Sequence, residues 1–514
     1  MNGYQRQWIR WSPFAAVALA VVVLALTGVV PTWPGLVHLV ALPPVDQFAD
    51  LRILLLRTDS WPQFIVLAVI VSAGRIVVLS CLMGGLDRHR LRFATLFYAT
   101  MLGPVFIATF LDATAFAMLY SRVFWPAVAL IGVLVLTFGA VPWQESTRLR
   151  AAIGAAWRRG LRVEVIVPYC LVLLMLGALA DTVPSLTVPL VPVSAMATGF
   201  AIWGMSRAPL TRPVVALTAA VAVLVASSVV FVQTRTYAEP DPSPHQQGSL
   251  LLMAGIDSES GTSGVHRTDV QRLGYDCEQV YYFSYAGPGD GQPQRDAPCP
   301  LRTGAPYGPE DTQRPVEEQV ALLAEQTRAL PRPLAVIAHS QAAWIAWEAV
   351  ATGRAHVDTL VLVGAFPDDP IGYLPEGVSG RGRVFSDLLH WAVPVADLFS
   401  FQFYPDGPAS RQLLGTVGSV RTILARPLPG QVRVLDVSST ADLPLMPSGE
   451  RLPGAECPVR APHSQLPRSP AFYDAVIRFL NHRDPPPCPP WREMGAALTR
   501  AFGVAPTDHP RSGR

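Results

Sequence analysis

Apolar positions are distributed very differently in the two halves of the chain. Residues 1–235 consist of long apolar blocks separated by short polar gaps that carry arginine, whereas the remainder alternates short apolar runs with polar segments. Because a bilayer needs about 20 consecutive apolar residues per helix, the first half predicts an α-helical transmembrane bundle of about seven spans. They lie near residues 13–31, 62–85, 95–118, 124–143, 164–181, 184–205 and 213–233. No convincing cleavage motif follows the first of them, so we interpret it as a retained anchor.

Arginine in the gaps between these segments predicts their orientation. With seven spans, one side of the membrane receives the arginines that precede the first segment and those that follow the second, fourth and sixth. They are Arg6, Arg10, Arg88, Arg90, Arg92, Arg148, Arg150, Arg158, Arg159, Arg162, Arg207 and Arg212. Since positive charge favours the cytoplasmic side, the sequence predicts a multi-pass integral protein of the cell membrane whose C-terminal half is extracytoplasmic.

Two charged residues, Arg75 and Asp112, fall in the middle of predicted spans. A charge at this depth can belong to a structural ion pair, to an arginine that reaches the interface, or to a transport pathway. Because only two such charges are present, we favour a structural role for them, and transport remains an alternative.

The second half has the alternation typical of an α/β domain. A Pro-rich linker at 236–248 precedes the domain at 249–484, and a Pro-rich tail at 485–514 follows it. The predicted strands lie at 250–254, 279–285, 334–338, 357–363 and 432–437, and the predicted helices at 316–329, 341–352 and 469–480. Strands that alternate with helices form a mostly parallel sheet covered on both faces.

An insertion at about 367–430 interrupts this alternation and is rich in large apolar residues. They are Phe385, Leu388, Leu389, Trp391, Leu398, Phe399, Phe401 and Phe403. The pattern predicts a cap subdomain with a small core of its own. It also fits a lid over an acyl pocket that touches the membrane surface, and both interpretations can hold together.

Composition narrows the possible functions. A net charge of +2 without a basic stripe argues against nucleic acid as a partner. All 40 basic residues are arginine, which excludes Schiff-base chemistry on lysine and a phosphate-loop lysine. Metal chemistry is not expected either, because the cysteines form no Cys-x-x-Cys pair.

Four of the six cysteines lie in the polar half, and the other two lie inside apolar blocks. Four dispersed cysteines fit two disulfides if this half is outside the cytoplasm. Pairing each cysteine with its neighbour in sequence, Cys277 with Cys299 and Cys457 with Cys488, is one of three possible connectivities.

The most informative segment is an apolar run that ends abruptly at Ser340, directly before an amphipathic helix. A serine at such a junction is more often a helix N-cap than a nucleophile. The small residues Ala338 and Ala342, together with His339 before the serine and Gln341 after it, favour a nucleophile on a sharp strand–helix turn. The helix N-terminus also supplies N–H groups and a partial positive charge where an oxyanion would form.

A serine becomes nucleophilic when an imidazole takes its proton and a carboxylate orients that imidazole. Asp442 follows the last predicted strand in a Ser/Thr-rich loop, and His463 directly precedes the closing helix. These residues are the predicted acid and base, whereas His482 fits a helix-dipole partner better. Three other carboxylates, within or after predicted strands, remain alternatives for the acid: Asp436, Asp368 and Asp369.

The segment Ala338-His339-Ser340-Gln341-Ala342 resembles the Gly-x-Ser-x-Gly elbow of the α/β-hydrolase superfamily, with alanine in place of both usual glycines. The resemblance extends over residues 249–482. It implies a catalytic triad of Ser340, Asp442 and His463 that needs no cofactor.

The loop Leu252-Met-Ala-Gly-Ile256-Asp257-Ser-Glu-Ser-Gly261 resembles the superfamily's oxyanion loop. By that resemblance, the oxyanion hole consists of the N–H groups of Ile256 and Gln341. The stretch 282–287, and Asp311-Thr312 before a helix, are similar to hydrolases of this kind as well.

Together these features predict a membrane-anchored serine hydrolase that cleaves an ester or thioester through an acyl-enzyme. Lipids or cell-envelope acyl compounds fit its location as substrates, membrane lipids are the other expected partner, and protein partners cannot be predicted. Two alternatives remain open. One is an inactive hydrolase-like binding domain attached to a transporter or envelope-assembly protein. The other is acyl transfer to an alcohol by the same residues.

Overall fold

The computed structural model describes residues 11–119, 121–144, 148–207, 240–368, 374–398, 404–416, 418–447, 449 and 451–503. The chain divides into two compact units. The first comprises Met1–Ala115, Arg122–Arg235 and Ala497–Arg514, and the second comprises Phe116–Ser121 and Thr236–Ala496.

The first unit is helical in the part that the structure describes. Its helices are α1 (Ser12–Leu26), α2 (Val45–Arg57), α3 (Trp61–Leu82), α4 (Arg88–Ala117), α5 (Ser121–Phe138), α6 (Leu149–Arg159), α7 (Val163–Thr182) and α8 (Leu190–Met205). Among the described residues, α3, α4, α7 and the segment Ser121–Trp143 are long and apolar enough to cross a membrane. They agree with the predicted membrane protein, while the number of spans and their orientation stay predictions.

The other predicted spans differ in the structure. Helices α1 and α8 have only 15 and 16 residues, although they occupy the predicted first and sixth spans. The predicted seventh span, 213–233, lies outside the described residues. Two short α-helices of this unit, α2 and α6, are covered by no predicted span.

Helix α3 illustrates how length and apolarity suit a bilayer. Its 22 residues extend about 33 Å at about 1.5 Å per residue, close to the hydrocarbon thickness of about 30 Å. Ile65, Val66, Val69 and Ile70 each expose more than half of their surface. A broad exposed apolar face of this kind is typical of a helix that faces lipid.

Both charges of the predicted spans meet an opposite charge on α2. Arg75 donates two hydrogen bonds to the carboxylate of Asp50, at 2.7 and 2.8 Å. Asp112 lies 3.1 Å from Nε of Arg52, and both side chains are buried. These contacts support the structural interpretation of the two charges.

The second unit contains a five-stranded parallel sheet. Its strands are β1 (Ser249–Met253), β2 (Val280–Tyr282), β3 (Leu334–His339), β4 (Thr359–Val363) and β5 (Arg433–Val437), in the spatial order β2-β1-β3-β4-β5. In the register, Ala338 of β3 pairs with Met253, and His339 pairs with Val363. The carboxyl ends of parallel strands meet at one edge of a sheet, so the loops after β1, β3, β4 and β5 gather there.

Helices cover this sheet and continue beyond it. They are α9 (Val316–Thr327), α10 (Gln341–Ala351), α11 (Arg383–Leu398), α12 (Pro408–Leu413), α13 (Ser419–Leu424) and α14 (Pro470–Leu480). A last helix, α15 (Trp491–Gly503), begins in this unit, and its residues from Ala497 onward belong to the first unit. Every residue of β1, β3 and β4 is buried, because a parallel sheet inside an α/β domain is covered on both faces. Helix α15 lies within the predicted Pro-rich tail, directly after the prolines of 485–490.

The insertion at 367–430 contains α11, α12 and α13. Val384, Phe385 and Leu389 of α11 and Leu413 of α12 are buried, so the described part of this cap has an apolar core. Three aromatic residues of the insertion lie outside the described residues: Phe399, Phe401 and Phe403.

The four cysteines of the second unit form two pairs whose sulfur atoms lie at disulfide distance. Cys277 pairs with Cys299, with 5.3 Å between their Cα atoms. Cys457 pairs with Cys488, with 5.0 Å between their Cα atoms. Of the three possible connectivities, the structure therefore contains the one that joins sequence neighbours.

Candidate active site

Ser340 occupies a sharp turn between β3 and α10. Its backbone has φ 59° and ψ −128°, in a region that residues other than glycine rarely adopt. The conformation is held in place because the Ser340 N–H donates to the carbonyl of Val363 at 2.8 Å. The small side chains of Ala338 and Ala342 are fully buried on either side, so strand and helix can approach each other closely.

The Ser340 hydroxyl does not cap the helix that follows it. Serine at a helix start usually accepts a hydrogen bond from an N–H of the first turn, but α10 has no such bond from the Ser340 side chain. The residue is half-buried. The turn therefore determines the direction of its hydroxyl, which does not cap the start of the helix.

His463 and Asp442 form a buried pair. Nδ1 of His463 donates to Oδ2 of Asp442 at 2.6 Å, and Asp442 is completely buried. Because the partner of Nδ1 is a carboxylate oxygen, Nδ1 carries the proton and Nε2 is left as a proton acceptor. This is the tautomer that a general base requires.

His463 lies beside the turn that carries Ser340. The ring centroids of His339 and His463 are 4.8 Å apart, and Nε2 of His339 donates to the backbone carbonyl of His463 at 3.0 Å. Burial, with a smaller effect of His463, lowers the pKa of His339 to about 3. His339 is therefore neutral and acts as a hydrogen-bond donor that fixes the His463 backbone.

Glycines allow the loops to approach these side chains. Gly364, directly after β4, has φ 63°, and a Cβ there would lie 2.8 Å from Cε1 of His463. A Cβ on Gly255, after β1, would lie 2.7 Å from Cβ of Ser340. Any larger residue at either position would collide with the candidate base or the candidate nucleophile.

The two predicted oxyanion donors lie on either side of Ser340. Gln341 is the first residue of α10, so its N–H belongs to the N–H groups that a helix leaves unsatisfied. Ile256 follows Gly255, whose backbone adjoins Ser340. Within the described residues, neither N–H has a hydrogen-bond acceptor in the protein. Both remain available to a developing negative charge, which the helix N-terminus also favours.

The alternative acids lie in other environments. Asp436 is a buried residue of β5, and burial raises its pKa to about 7 despite the nearby charge of Arg451. Asp368 forms an ion pair with Arg421, and Asp369 lies outside the described residues. Among the described side chains, Asp442 is the carboxylate that binds His463.

His482, which was predicted to serve as a dipole partner, lies two residues after the end of α14. Its Nε2 lies 3.3 Å from Nη1 of Arg433. Its described contacts therefore belong to the exposed end of α14 and not to the candidate site.

Sequence reasoning assigned no role to a 3-10 turn, Pro309–Gln313, that adjoins the site. Oγ1 of Thr312 accepts a hydrogen bond from the N–H of Asp257 at 3.0 Å, and the Thr312 carbonyl accepts one from Nε2 of Gln341 at 3.2 Å. Nε2 of Gln313 donates to Oδ1 of Asp257 at 3.2 Å. The turn thus contacts both the loop that contains Ile256 and the start of α10, where Gln341 lies. The only sequence signal was the Asp311-Thr312 pair before a helix.

Asp257 is a titratable residue of the predicted oxyanion loop and directly follows Ile256. Burial raises its pKa to about 7, and the hydrogen bond from Gln313 opposes this rise. A carboxyl group that ionises near neutral pH therefore lies next to Ile256.

The part of the chain that the structure describes contains no cluster of three or more His, Cys, Asp or Glu residues arranged to hold a metal ion. Comparison of the chain with protein-family models, with curated proteins and with solved structures finds no match.

Proposed function

We propose that the second unit is a serine hydrolase of the α/β-hydrolase type, which cleaves an ester or thioester. The observation that carries the proposal is the combination of an uncapped Ser340 on a left-handed turn with a buried Asp442–His463 pair beside it. A structural serine at a helix start would adopt ordinary backbone angles and bind the helix N–H groups, and this serine does neither.

In the proposed reaction, Nε2 of His463 accepts the Ser340 proton while Oγ attacks the acyl carbonyl. The carbonyl oxygen becomes an oxyanion that the N–H groups of Ile256 and Gln341 stabilise. Collapse expels the alcohol or thiol, which takes the proton from His463, and leaves an acyl-Ser340 ester. Water, deprotonated by His463, then hydrolyses this ester and restores the hydroxyl. Asp442 stays ionised and keeps His463 in the required tautomer.

A lipid or a cell-envelope acyl compound is the proposed substrate. The membrane-length helices of the first unit support a substrate that is present at a membrane. The aromatic and aliphatic core of the cap supports an apolar acyl chain. The two cysteine pairs support an extracytoplasmic location for the second unit, since disulfides persist in oxidising compartments.

The test is labelling by a membrane-impermeant fluorophosphonate, which reacts only with an activated serine. Intact cells and purified protein would be labelled for wild type, Ser340→Ala and His463→Ala. His356→Ala is the matched histidine control because His356 is exposed in the same unit. We expect wild type and His356→Ala to be labelled on intact cells and the other two variants to be unlabelled.

Two other outcomes are informative. Labelling that appears only after lysis would retain the enzyme and reverse the proposed orientation. A folded wild-type protein that is unlabelled in both settings would contradict the hydrolase and favour an inactive binding domain.

A further inference from the structure

The side chain of Gln313 joins two elements that are far apart in sequence. Its Nε2 donates to Oδ1 of Asp257 at 3.2 Å. Its Oε1 accepts hydrogen bonds from Oγ and N–H of Ser410, at 2.9 and 3.3 Å. Gln313 and Ser410 are both buried. One amide therefore connects the loop after β1 with the cap helix α12.

On the loop side, the backbone of Asp257 needs external support. Its φ of 55° lies in the left-handed region, which costs free energy in a residue other than glycine and persists only where neighbours impose it. Those neighbours are Thr312, which accepts from the Asp257 N–H, and Gln313, which donates to its carboxyl group. Because Asp257 directly follows Ile256, the same two contacts restrain the backbone on the C-terminal side of Ile256.

On the cap side, the approach is close. A Cβ on Gly407, the residue before α12, would lie 2.8 Å from Cβ of Gln313. A side chain at position 407 would therefore push α12 away from the turn. The glycine and the two bonds from Ser410 seat the cap helix directly on Gln313.

The turn that carries Gln313 also contacts the second oxyanion residue. The Thr312 carbonyl accepts hydrogen bonds from Nε2 of Gln341 at 3.2 Å and from Nε2 of Gln319 at 3.0 Å. Movement of this turn would displace the surroundings of Ile256 and Gln341 together. It is thus a connection between the cap and the whole candidate oxyanion hole.

We propose that Gln313 is a positioning residue through which contact between an acyl chain and α12 keeps the Ile256 N–H aligned, so that the enzyme favours acyl chains long enough to reach the cap. This inference rests on the proposed serine hydrolase and specifies its substrate as a medium- or long-chain acyl ester. Binding energy from the remote end of the acyl chain then raises kcat, because it aligns the Ile256 N–H, which stabilises only the transition state. An acetyl ester has no such remote end, so it should not benefit.

The experiment compares kcat and KM of the purified full-length protein for p-nitrophenyl octanoate and p-nitrophenyl acetate. Ser410→Ala removes the cap contact and keeps the bond between Gln313 and Asp257. We expect kcat for octanoate to fall about tenfold, a fraction of the loss of about 10²–10³-fold that follows removal of an oxyanion donor. The kinetic constants for acetate should remain unchanged.

A second variant, Gln313→Glu, keeps the shape of the side chain and the acceptor for Ser410 but cannot donate to Asp257. It should lower kcat for both esters, since the loop itself loses its support. The double variant should turn over octanoate no more slowly than Gln313→Glu alone, because both substitutions interrupt one connection. Circular dichroism and thermal unfolding would establish that each variant is folded.

Gln412→Ala is the matched control. Gln412 lies on the same cap helix, and its Oε1 accepts from the N–H of Val316 at 2.7 Å, so the substitution weakens a cap contact that does not lead to Asp257. The ratio of its kcat for octanoate to its kcat for acetate should equal that of wild type. An unchanged ratio in Ser410→Ala, or equal losses in Ser410→Ala and Gln412→Ala, would overturn the inference while the hydrolase stands. Absence of Ser340-dependent turnover in wild type would refute the proposed function and this inference together.

Discussion

Two backbone conformations at the site are ones that ordinary residues avoid. Ser340 and Asp257 have φ values of 59° and 55°, and in each case a bond to the N–H holds the residue in place. The acceptors are the carbonyl of Val363 for Ser340 and Oγ1 of Thr312 for Asp257. Strain of this kind collects where a fold must hold a group in one direction. Each of the two residues adjoins one of the proposed oxyanion donors.

A single amide substitution distinguishes the candidate acids. Asp442→Asn should lower the rate constant of Ser340 labelling by about 10³–10⁴-fold, because an amide favours the wrong tautomer of His463. Asp436→Asn is the matched control, since Asp436 is also a buried carboxyl of the same region, and it should leave the rate within about twofold. The measurement is the second-order rate constant of fluorophosphonate inactivation. A large loss in Asp436→Asn alone would transfer the role of acid to Asp436.

The carboxyl group of Asp257 should determine the alkaline limit of activity. Its pKa is raised to about 7 by burial, so above this pH a negative charge forms beside the N–H of Ile256 and disfavours the oxyanion. In wild type, kcat/KM should therefore fall as the pH rises through about 7. Asp257→Asn retains the acceptor for Gln313 but has no charge to gain, so its profile should remain flat on the alkaline side.

The same ionisation has a defined effect on stability. A carboxyl whose pKa is higher in the folded than in the unfolded state contributes stability below its unfolded pKa and loses it as the pH rises through about 7. As the pH rises to about 7, the unfolding temperature of wild type should therefore decrease relative to that of Asp257→Asn. Identical pH profiles of kcat/KM for the two proteins would contradict the role of Asp257.

At the scale of elements, the site is built where parallel strands end. Strands β1, β3, β4 and β5 each lead into a loop that provides one component: the Gly255–Ile256 turn, Ser340, Gly364 and Asp442. Periodicity predicted these strands well because a sheet covered on both faces consists of short continuous apolar runs. The predicted strand at 279–285 is longer than β2, Val280–Tyr282.

The aromatic residues after β2 explain that difference. Phe283 and Tyr285 are buried, so their pattern resembles a strand, yet they leave the sheet. The hydroxyl of Tyr285 donates to the carbonyl of Ala254 at 2.5 Å, which places it under the end of β1. Burial alone therefore does not distinguish a strand from a loop that packs beneath one.

At the scale of the whole molecule, the chain end belongs to the helical unit. Residues from Ala497 onward belong to the first unit, and Nη1 of Arg500 binds Oδ2 of Asp181 at 2.9 Å. Phe502 stacks on His38 with 4.2 Å between ring centroids. A Cβ on Gly177 would lie 2.9 Å from that of Ala501. The last turns of α15 are therefore a packed part of the first unit.

Arg500→Gln should destabilise the protein strongly, because it removes the guanidinium charge that pairs with the buried carboxyl of Asp181. Loss of one partner of a buried ion pair costs roughly 3–5 kcal/mol, whereas loss of an exposed pair has little effect on stability. Arg302→Gln is the control, since Arg302 forms an exposed pair with Glu278. The measurement is thermal unfolding in detergent, and Asp181→Asn combined with Arg500→Gln should restore part of the loss. Equal effects of the two single substitutions would contradict a structural role for Arg500.

The sequence alone determined the properties that depend on local pattern. Long apolar blocks indicated membrane helices, and short apolar runs between helical segments indicated a parallel sheet. The apolar run that ends at Ser340, between Ala338 and Ala342, marked the turn because close packing of strand and helix demands small residues there. Pairing of each cysteine with its sequence neighbour was also within reach, because a short loop closes easily.

Only the tertiary structure decided which distant residues meet. Among the described carboxylates, Asp442 is the one that binds His463, although Asp436, inside β5, was an alternative from the sequence. Gln313 contacts Ser410, 97 positions later, and Arg500 contacts Asp181, 319 positions earlier. Local periodicity carries no information about such pairs, because they are selected by the packing of whole elements and by the need to satisfy buried polar groups.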